Sequence, residues 1–377
     1  MKIAIVHDWL TNMGGAENSV LAMHEAYPEA PIYTSVYDPD NMPLFKGLDI
    51  RTTWLQKLPK SLRSLHKFFP ILRIWAFKSL DLREYDLILS SSSAESKNVR
   101  KKSGAQHICY CYTPIRYYWS HYAEYRKNPG FGWLNGVVRL ALPFLVPVGR
   151  KHDFRAAQNV DRFIGISCAI QSRIQQYYQK EALVIHPPVD VERFFLLAEP
   201  VKRSGFIMVG RQVPYKRMDL AVAACTRLNL PLTLFGDGSE HGRLVKMAGP
   251  TIKFVKRASN ETIALALKAS EGFIFPGEED FGIVQVESLA AGTPVIAYAK
   301  GGALDIHEKD VTAIFFYEQT EEALIAAIGQ LQSRIFDKSL LEKQASLFTK
   351  EHFICSLQNV INKTPLNTTL SKIGNLA

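Results

Sequence analysis

Short apolar runs alternate with longer amphipathic segments along this chain, the rhythm of parallel strands joined by helices. In the first half, apolar runs at 3–6, 85–89, 107–111 and 162–166 predict strands. A polar glycine turn, Thr11-Asn12-Met13-Gly14-Gly15-Ala16-Glu17, follows the first run and opens into a helix carrying Val20, Leu21, Met23 and Ala26. Ser167 is placed to cap a helix over 170–178. The second half repeats the rhythm, with strands predicted at 205–209, 232–235, 272–275 and 293–297 and a helix from about Met218. Between Pro276-Gly277 and the stop at Gly292 lies another helix, its start set by Glu278-Glu279-Asp280 near a first turn at Phe281-Gly282-Ile283. Residues 348–361 have helical periodicity, and the chain from Asn362 is polar and frayed. His186-Pro187-Pro188 makes a stiff connector. A length of 377 residues exceeds what one core organises. The reading is therefore α/β, with domains over 1–186 and 187–348 and a terminal segment over 349–377.

Composition is that of an ordinary globular protein, 47% hydrophobic and 21% charged. No apolar run approaches the roughly 18 residues that span a bilayer, and the opening MKIAIVHDWL is short for a signal peptide, so a cytoplasmic location is expected. Five cysteines are scattered, and Cys109-x-Cys111 lacks the second pair of a zinc site; free buried thiols are expected. The net charge of +9 changes the picture more, because residues 1–186 hold 24 Lys and Arg against 15 Asp and Glu while the rest hold 21 against 21. A basic half points to an anionic partner. Residues 55–80 carry six basic residues and no acidic one among leucines, phenylalanines and Trp75, divided by Pro59 and Pro70. Such segments suit the headgroup layer of an anionic membrane; the alternative is a helical pair with a core side and a solvated basic side. A second apolar stretch, 131–148, is broken by Pro143 and Pro147 and fits either membrane or core.

Candidate chemistry centres on residues 271–306. A free helix N-terminus beside a glycine is an anion site. Glu279 precedes it and Glu287 lies about a turn and a half inside the helix, so two carboxylates flank the phosphate position. Anionic in the middle and hydroxyl-rich at both ends describes a nucleotide sugar, although glutamate near a helix start is also ordinary capping. Gly14-Gly15 sits where open α/β sheets bind ligands, without the G-x-G-x-x-G fingerprint or a P-loop. Arg211 and Lys216 follow a strand's carboxyl end and are placed to meet one phosphate pair; as isolated charges they would be solvated. Cys111-Tyr112-Thr113-Pro114 leads into a polar-aromatic segment ending at Trp119, again at a strand's carboxyl end. Asp38-Pro39-Asp40 reads as a turn, and neither metal nor cofactor is expected.

Glu279-x7-Glu287 with Phe281-Gly282 inside it, followed by Ala290-Ala291-Gly292-Thr293-Pro294-Val295-Ile296-Ala297, resembles the donor-site motif of the family 4 glycosyltransferases. That resemblance implies a GT-B fold of two Rossmann-like domains facing a cleft, and a retaining, metal-independent hexosyltransferase whose last helix crosses back onto the first domain. By the same resemblance Glu279 reaches the transferred sugar and Glu287 the ribose. Arg211 and Lys216, in a segment similar to the family's G-R-x-x-x-x-K that begins at Gly210, grip the diphosphate. Gly14 and Gly15 face the phosphates across the cleft, Phe281, Gly282, Ile283 and Val284 take the leaving group, and Val255, Lys256 and Arg257 lie beside the base. Tyr112 stands where those relatives carry histidine, which implies a catalytic place beside Glu279, Arg211 and Lys216, where it orients a hydroxyl without titrating. Residues 109–119 resemble the mannosyltransferase branch that assembles O-antigen or other polysaccharide. This implies GDP-mannose as preferred donor, a polyprenyl-diphosphate-linked saccharide as acceptor on the first domain, and attachment to the inner face of the cytoplasmic membrane. An epimerase or phosphorylase on the same fold is the alternative. A nucleic-acid-binding protein would explain the basic half but not Glu279-x7-Glu287, so no nucleic-acid partner is expected.

Overall fold

The computed structural model describes residues 1–64, 69–127, 135–198 and 202–362. Seven strands form the first sheet: β1 Ile3–His7, β2 Ile32–Thr34, β3 Ile50–Thr52, β4 Leu87–Ser92, β5 Gln106–Cys111, β6 Arg162–Gly165 and β7 Ala182–Val184, in the order β3-β2-β1-β4-β5-β6-β7. Six form the second: β8 Phe206–Val209, β9 Leu232–Phe235, β10 Ile252–Val255, β11 Gly272–Phe275, β12 Val295–Tyr298 and β13 Ala313–Phe316, in the order β10-β9-β8-β11-β12-β13. Neighbouring strands pair in parallel throughout. These are two Rossmann-like domains, as the residue rhythm predicts. Helices cover both faces, which is why β1, β4, β11 and β12 are buried along their whole length instead of alternating.

Chain order reverses beside β1 in one sheet and beside β8 in the other, and a crevice opens at the carboxyl ends of the strands at such switch points. Those ends carry His7 and Asp8 with Ser92 in the first sheet, and Gly210 with Pro276-Gly277 in the second. Three serines end the central strand β4, and burial makes each need a partner. Ser90 Oγ bonds His107 Nε2 at 2.8 Å, Ser91 Oγ bonds His7 Nδ1 at 2.9 Å, and Ser92 donates to the Ala94 carbonyl at 3.3 Å.

Several boundaries move. The strand expected at 85–89 is Leu87–Ser92, because the serines pair with Cys109 to Cys111 of β5. That expected at 293–297 begins at Val295, since Pro294 has no N–H to donate and instead accepts from Phe273 N. β2, β3, β7, β10 and β13 were not foreseen; the first three have only three residues each, too few to show a period. The helix after β11 runs Ile283–Ala290 and starts at Gly282, whose φ is 89°, with no acidic residue in its first turn. Glu278, Glu279 and Asp280 therefore lie in the preceding loop and do not cap it. Ser167 does cap its helix, Cys168–Tyr178, by accepting from Ile170 N at 3.2 Å.

The prolyl connector is packed: His186 Nδ1 meets the Ile166 carbonyl at 3.1 Å and its ring stacks on Phe281 at 5.5 Å. Val189 N donates to Phe348 O at 2.8 Å. The last described helix, Lys350–Asn362, lies on Gly15–Ala26, with Lys350 on Glu25 at 2.9 Å and Phe353 edge-on to Tyr110 at 5.4 Å. The polar tail from 363 onward lies outside the described residues.

The basic stretch 55–80 holds helices Lys60–Ser64 and Pro70–Lys78; residues 65–68, among them Lys67, are outside the description. Its charge is not all external. Arg73 is buried and grips Glu95 at 2.6 Å, and Tyr117 donates to the same carboxylate at 2.7 Å. Ile74, Ala76 and Phe77 face the core, whereas Ile71 and Trp75 face outward. The described part of 131–148 belongs to the helix Asn135–Gln158, which runs through both prolines. Cys109, Cys111 and Cys225 are buried free thiols, while Cys168 and Cys355 are exposed ones. Among the described residues, no helix is long and apolar enough to cross a membrane.

Truncating Phe353 to alanine removes the anchor of the terminal helix and is expected to lower unfolding stability by about 3–5 kcal/mol. Urea unfolding followed by intrinsic fluorescence measures it, and a loss below about 1 kcal/mol would mean the helix is not anchored there.

Candidate active site

Backbone packs on backbone where the second domain's loops meet. A Cβ on Gly277 would stand 2.7 Å from the Tyr215 carbonyl and 2.8 Å from Lys216 Cα, so the loop after β8 presses directly on the loop after β11. From that contact Lys216 Nζ reaches Glu279 and forms an ion pair. Arg217 follows in the left-handed region, φ 48°, and bonds Asp219 at 3.2 Å. Arg211 is exposed at the mouth of the same loop. Gly302 N donates to Glu279 O at 2.9 Å, which holds the glutamate's backbone from the other side. Glu287 points inward from the Ile283–Ala290 helix, where burial pushes its carboxyl up and Arg193, 2.5 Å away, acts against that rise. Sequence reasoning missed Arg193, which lies in a short turn of helix with no motif around it.

Across the cleft, Gly15 touches this helix. Any side chain there would overlap Ile283 Cδ1, so the glycine loop after β1 and the N-terminus after β11 abut. Tyr112 supports that loop from beneath: its hydroxyl donates to the Ala16 carbonyl at 2.9 Å and shares a bond with Ser91 Oγ at 2.9 Å. Burial pushes the phenol's pKa up, so it stays protonated at neutral pH. His7 continues the chain, bonded to Ser91 through Nδ1 and 3.6 Å from Glu17 through Nε2. Beside it, Asp8 accepts from the backbone N–H of Ser93, Ala94 and Ser96 at 2.6, 2.9 and 2.8 Å. The position of His7-Asp8, directly after an apolar run, was the available signal for both.

Asp280 joins the domains. Its buried carboxylate takes Arg116 at 2.6 Å and also pairs with Arg173, both from the first domain, and Arg173 reaches Glu278 at 3.4 Å. Burial opposes ionisation, yet the two guanidiniums outweigh it and hold the carboxyl below its ordinary range. A cavity of about 460 Å³ lies here, lined by Arg116, His121, Arg173, Tyr215, Arg217 and Glu279 among others. A larger groove of about 970 Å³, around Lys78 and residues 100–106, opens near the start of β5, away from these carboxylates.

The fold thus sets Gly14 and Gly15 against the helix start at Gly282 and Ile283, and Lys216 on Glu279, with Gly210 and Arg211 on the loop that carries Lys216; Phe281 is instead buried between His186 and Phe348, and Val284 packs against the core. Val255 ends the edge strand β10, and Lys256 beyond it pairs with Asp237 at 3.5 Å, with Arg257 exposed. Asp38 and Asp40 form a turn closed by Asn41 N on Asp38 O at 3.2 Å.

Against known proteins, residues 191–339 match the family described as Glycosyl transferases group 1. An uncharacterized glycosyltransferase of Methanocaldococcus jannaschii is 30% identical over 163 residues, 42% of this chain and 46% of that protein. A GDP-mannose-dependent alpha-mannosyltransferase of Mycolicibacterium smegmatis is 33% identical over 125 residues, 33% of each. The chain spans less than half the length of these curated relatives. Among solved structures, Anabaena HepE in complex with UDP superposes with a TM-score of 0.68 at 16% identity, covering 97% of this chain and all of that one. The lipopolysaccharide outer core galactosyltransferase WaaB gives 0.67 at 14% identity, covering 96% and 99%. Residues 191–339 accordingly match a glycosyl transferases group 1 domain, set in a chain whose fold is that of the GT-B glycosyltransferases.

Proposed function

We propose that this chain is a retaining, metal-independent glycosyltransferase that moves a hexose, mannose from GDP-mannose in the preferred reading, onto a polyprenyl-diphosphate-linked saccharide. The observation that carries it is the meeting of Gly15 with Ile283 across the cleft, one loop away from the Lys216–Glu279 pair. Backbone N–H groups at a helix N-terminus and a cation on the same spot suit a diphosphate. In this reading residues 187–348 hold the donor, with Val255, Lys256 and Arg257 beside its base, and residues 1–186 hold the acceptor. The mannosyltransferase resemblance in residues 109–119 and the Mycolicibacterium relative favour mannose; the solved UDP complex makes a uridine donor the competing choice.

Chemistry then consists of stabilising separated charge. Lys216, Arg211 and the N–H groups at Gly282 and Ile283 take the negative charge that grows on the leaving diphosphate. Lys216 and Glu279 neutralise each other, and a diphosphate that competes for the ammonium leaves Glu279 for the hydroxyls of the transferred sugar. Glu287 takes the ribose hydroxyls while Arg193 acts against the rise that burial imposes on its carboxyl. Closure about the Asp280 cluster excludes water from the developing glycosyl cation. Tyr112 orients the glycine loop and needs no titration, because the departing phosphate accepts the acceptor's proton.

A thermal-shift screen of nucleoside diphosphates and their sugars tests the donor site. A ligand at 100 times its Kd adds about 2.7 kcal/mol of stability, and a chain indifferent to every member of the panel is not a transferase of this kind. Mass spectrometry of products formed with and without acceptor lipid separates transfer from epimerisation or phosphorolysis. Glu287→Ala should weaken donor affinity with the fold intact; unchanged affinity by calorimetry removes the ribose role. Lys216→Ala should lower kcat by at least 10²-fold, since leaving-group charge peaks in the transition state. Activity within a few-fold of wild type would end the phosphate assignment. Tyr112→Phe should cost about 1–3 kcal/mol, seen mainly as a raised donor KM, because it frees Ala16 and leaves Ser91 short of a partner. Complete loss of kcat would instead make the phenol a participant in proton transfer. Asp280→Asn is expected to lower kcat while donor affinity holds, and an unchanged kcat would show that the arginine cluster has no part in closure.

A further inference from the structure

The outer face of the Asn135–Gln158 helix carries residues that the cleft does not use. Val137, Leu140, Phe144 and Val148 fall within about 80° of one another around the helix axis, at 3.6 residues per turn, and are 55–75% exposed. Lys151 and Arg155 continue the same stripe and are also exposed. The opposite face is locked inward. Val146 packs with Ile115 and Tyr118, and Asp153 takes Lys97 at 2.7 Å, Trp119 Nε1 at 2.7 Å and Tyr178 OH at 2.8 Å. That pairing fixes the helix's rotation, so the apolar ridge cannot turn inward. Asp153 is the helix's only acidic residue, and it is buried. Beside it, the Pro70–Lys78 helix packs on the same Ser96–Asn98 turn and exposes Ile71 and Trp75 by more than half.

We propose that this ridge docks the chain on an anionic lipid bilayer, with the four apolar side chains entering the acyl boundary and Lys151 and Arg155 meeting headgroup phosphates. A contiguous apolar stripe ending in basic residues, with no exposed carboxylate, is the charge pattern of an interfacial helix. A second copy of the chain fits less well, because the helix offers no exposed acid to answer another copy's basic residues. The docked face adjoins the cleft: Arg150 Nε bonds the Tyr118 carbonyl at 2.5 Å, and the chain runs on from there to Ser120 and His121 in the cavity wall. The purpose of docking rests on the lipid-linked acceptor proposed above, since a bilayer on this ridge lies at the side of the cleft assigned to it.

Co-sedimentation of the full chain with phosphatidylcholine vesicles, with and without one-third phosphatidylglycerol, tests the proposal without donor or acceptor. Wild type should partition at least tenfold better onto the anionic vesicles. Leu140→Gln with Phe144→Gln should lose at least tenfold of that binding at an unchanged melting temperature. Lys151→Gln with Arg155→Gln, on exposed positions, should abolish the preference for phosphatidylglycerol, and it keeps the proposal testable if the first pair misfolds. Wild type remaining in the supernatant, or ridge variants that bind like wild type, overturns it. So does a wild-type dimer in analytical ultracentrifugation that Leu140→Gln with Phe144→Gln dissociates, because a second copy would then cover the ridge. A chain that binds vesicles through the ridge but transfers no sugar keeps this inference and removes the transferase reading.

Discussion

One carboxylate, that of Asp280, ties the two halves of the cleft together. Taking a carboxylate out of water is costly, and it is tolerated here because Arg116 and Arg173 arrive from two separate elements of the first domain. Neither arginine can be satisfied so well with the domains apart. The residue before Asp280 is Glu279 and the residue after it is Phe281, which His186 of the connector stacks upon. A charge pair formed across the cleft therefore sets where the neighbouring glutamate and the following helix start will lie.

The same economy of position recurs within each domain. Close backbone approach in the second domain depends on glycines that admit no Cβ, so Lys216 is delivered to Glu279 by loops that touch without side chains between them. In the first domain the equivalent loop is held from below by hydrogen bonds, Tyr112 to Ala16 and Ser91, and Ser91 to His7. One side of the cleft is rigid by sterics and the other by a polar chain. A polar chain of this kind is specific about geometry, because each member left unpaired would carry the cost of a buried donor or acceptor.

Around the Ser96–Asn98 turn, two buried pairs, Arg73–Glu95 and Lys97–Asp153, join the helices Pro70–Lys78 and Asn135–Gln158 to the end of β4. Burying those pairs takes two basic side chains off the surface together with two acidic ones, so the basic excess of the first half stays outside. What remains outside is a surface in which apolar and basic side chains stand together, a different arrangement from a helix with one apolar and one basic side.

Much was legible in the residues themselves. Apolar runs bounded by glycine and proline gave most of the longer strands, since buried parallel strands need such runs, and Ser167 marked its helix because an unpaired N-terminal N–H needs an acceptor close in sequence. The donor loop was legible for a similar reason: Glu279, the glycine and Glu287 act within one strand-helix unit, so their spacing along the chain is close to their spacing in space. Three-residue strands such as β2 and β3 carry no period and came only with the sheet that pairs them. The partners of Asp280 lie 164 and 107 residues away, and that of Glu287 lies 94 away. No local pattern encodes contacts of that range. Which side of the Asn135–Gln158 helix faces out was likewise undecided by an apolar stretch with two prolines. The pairing of Asp153 with Lys97 settled it, because a buried charge accepts only the rotation that gives it a partner.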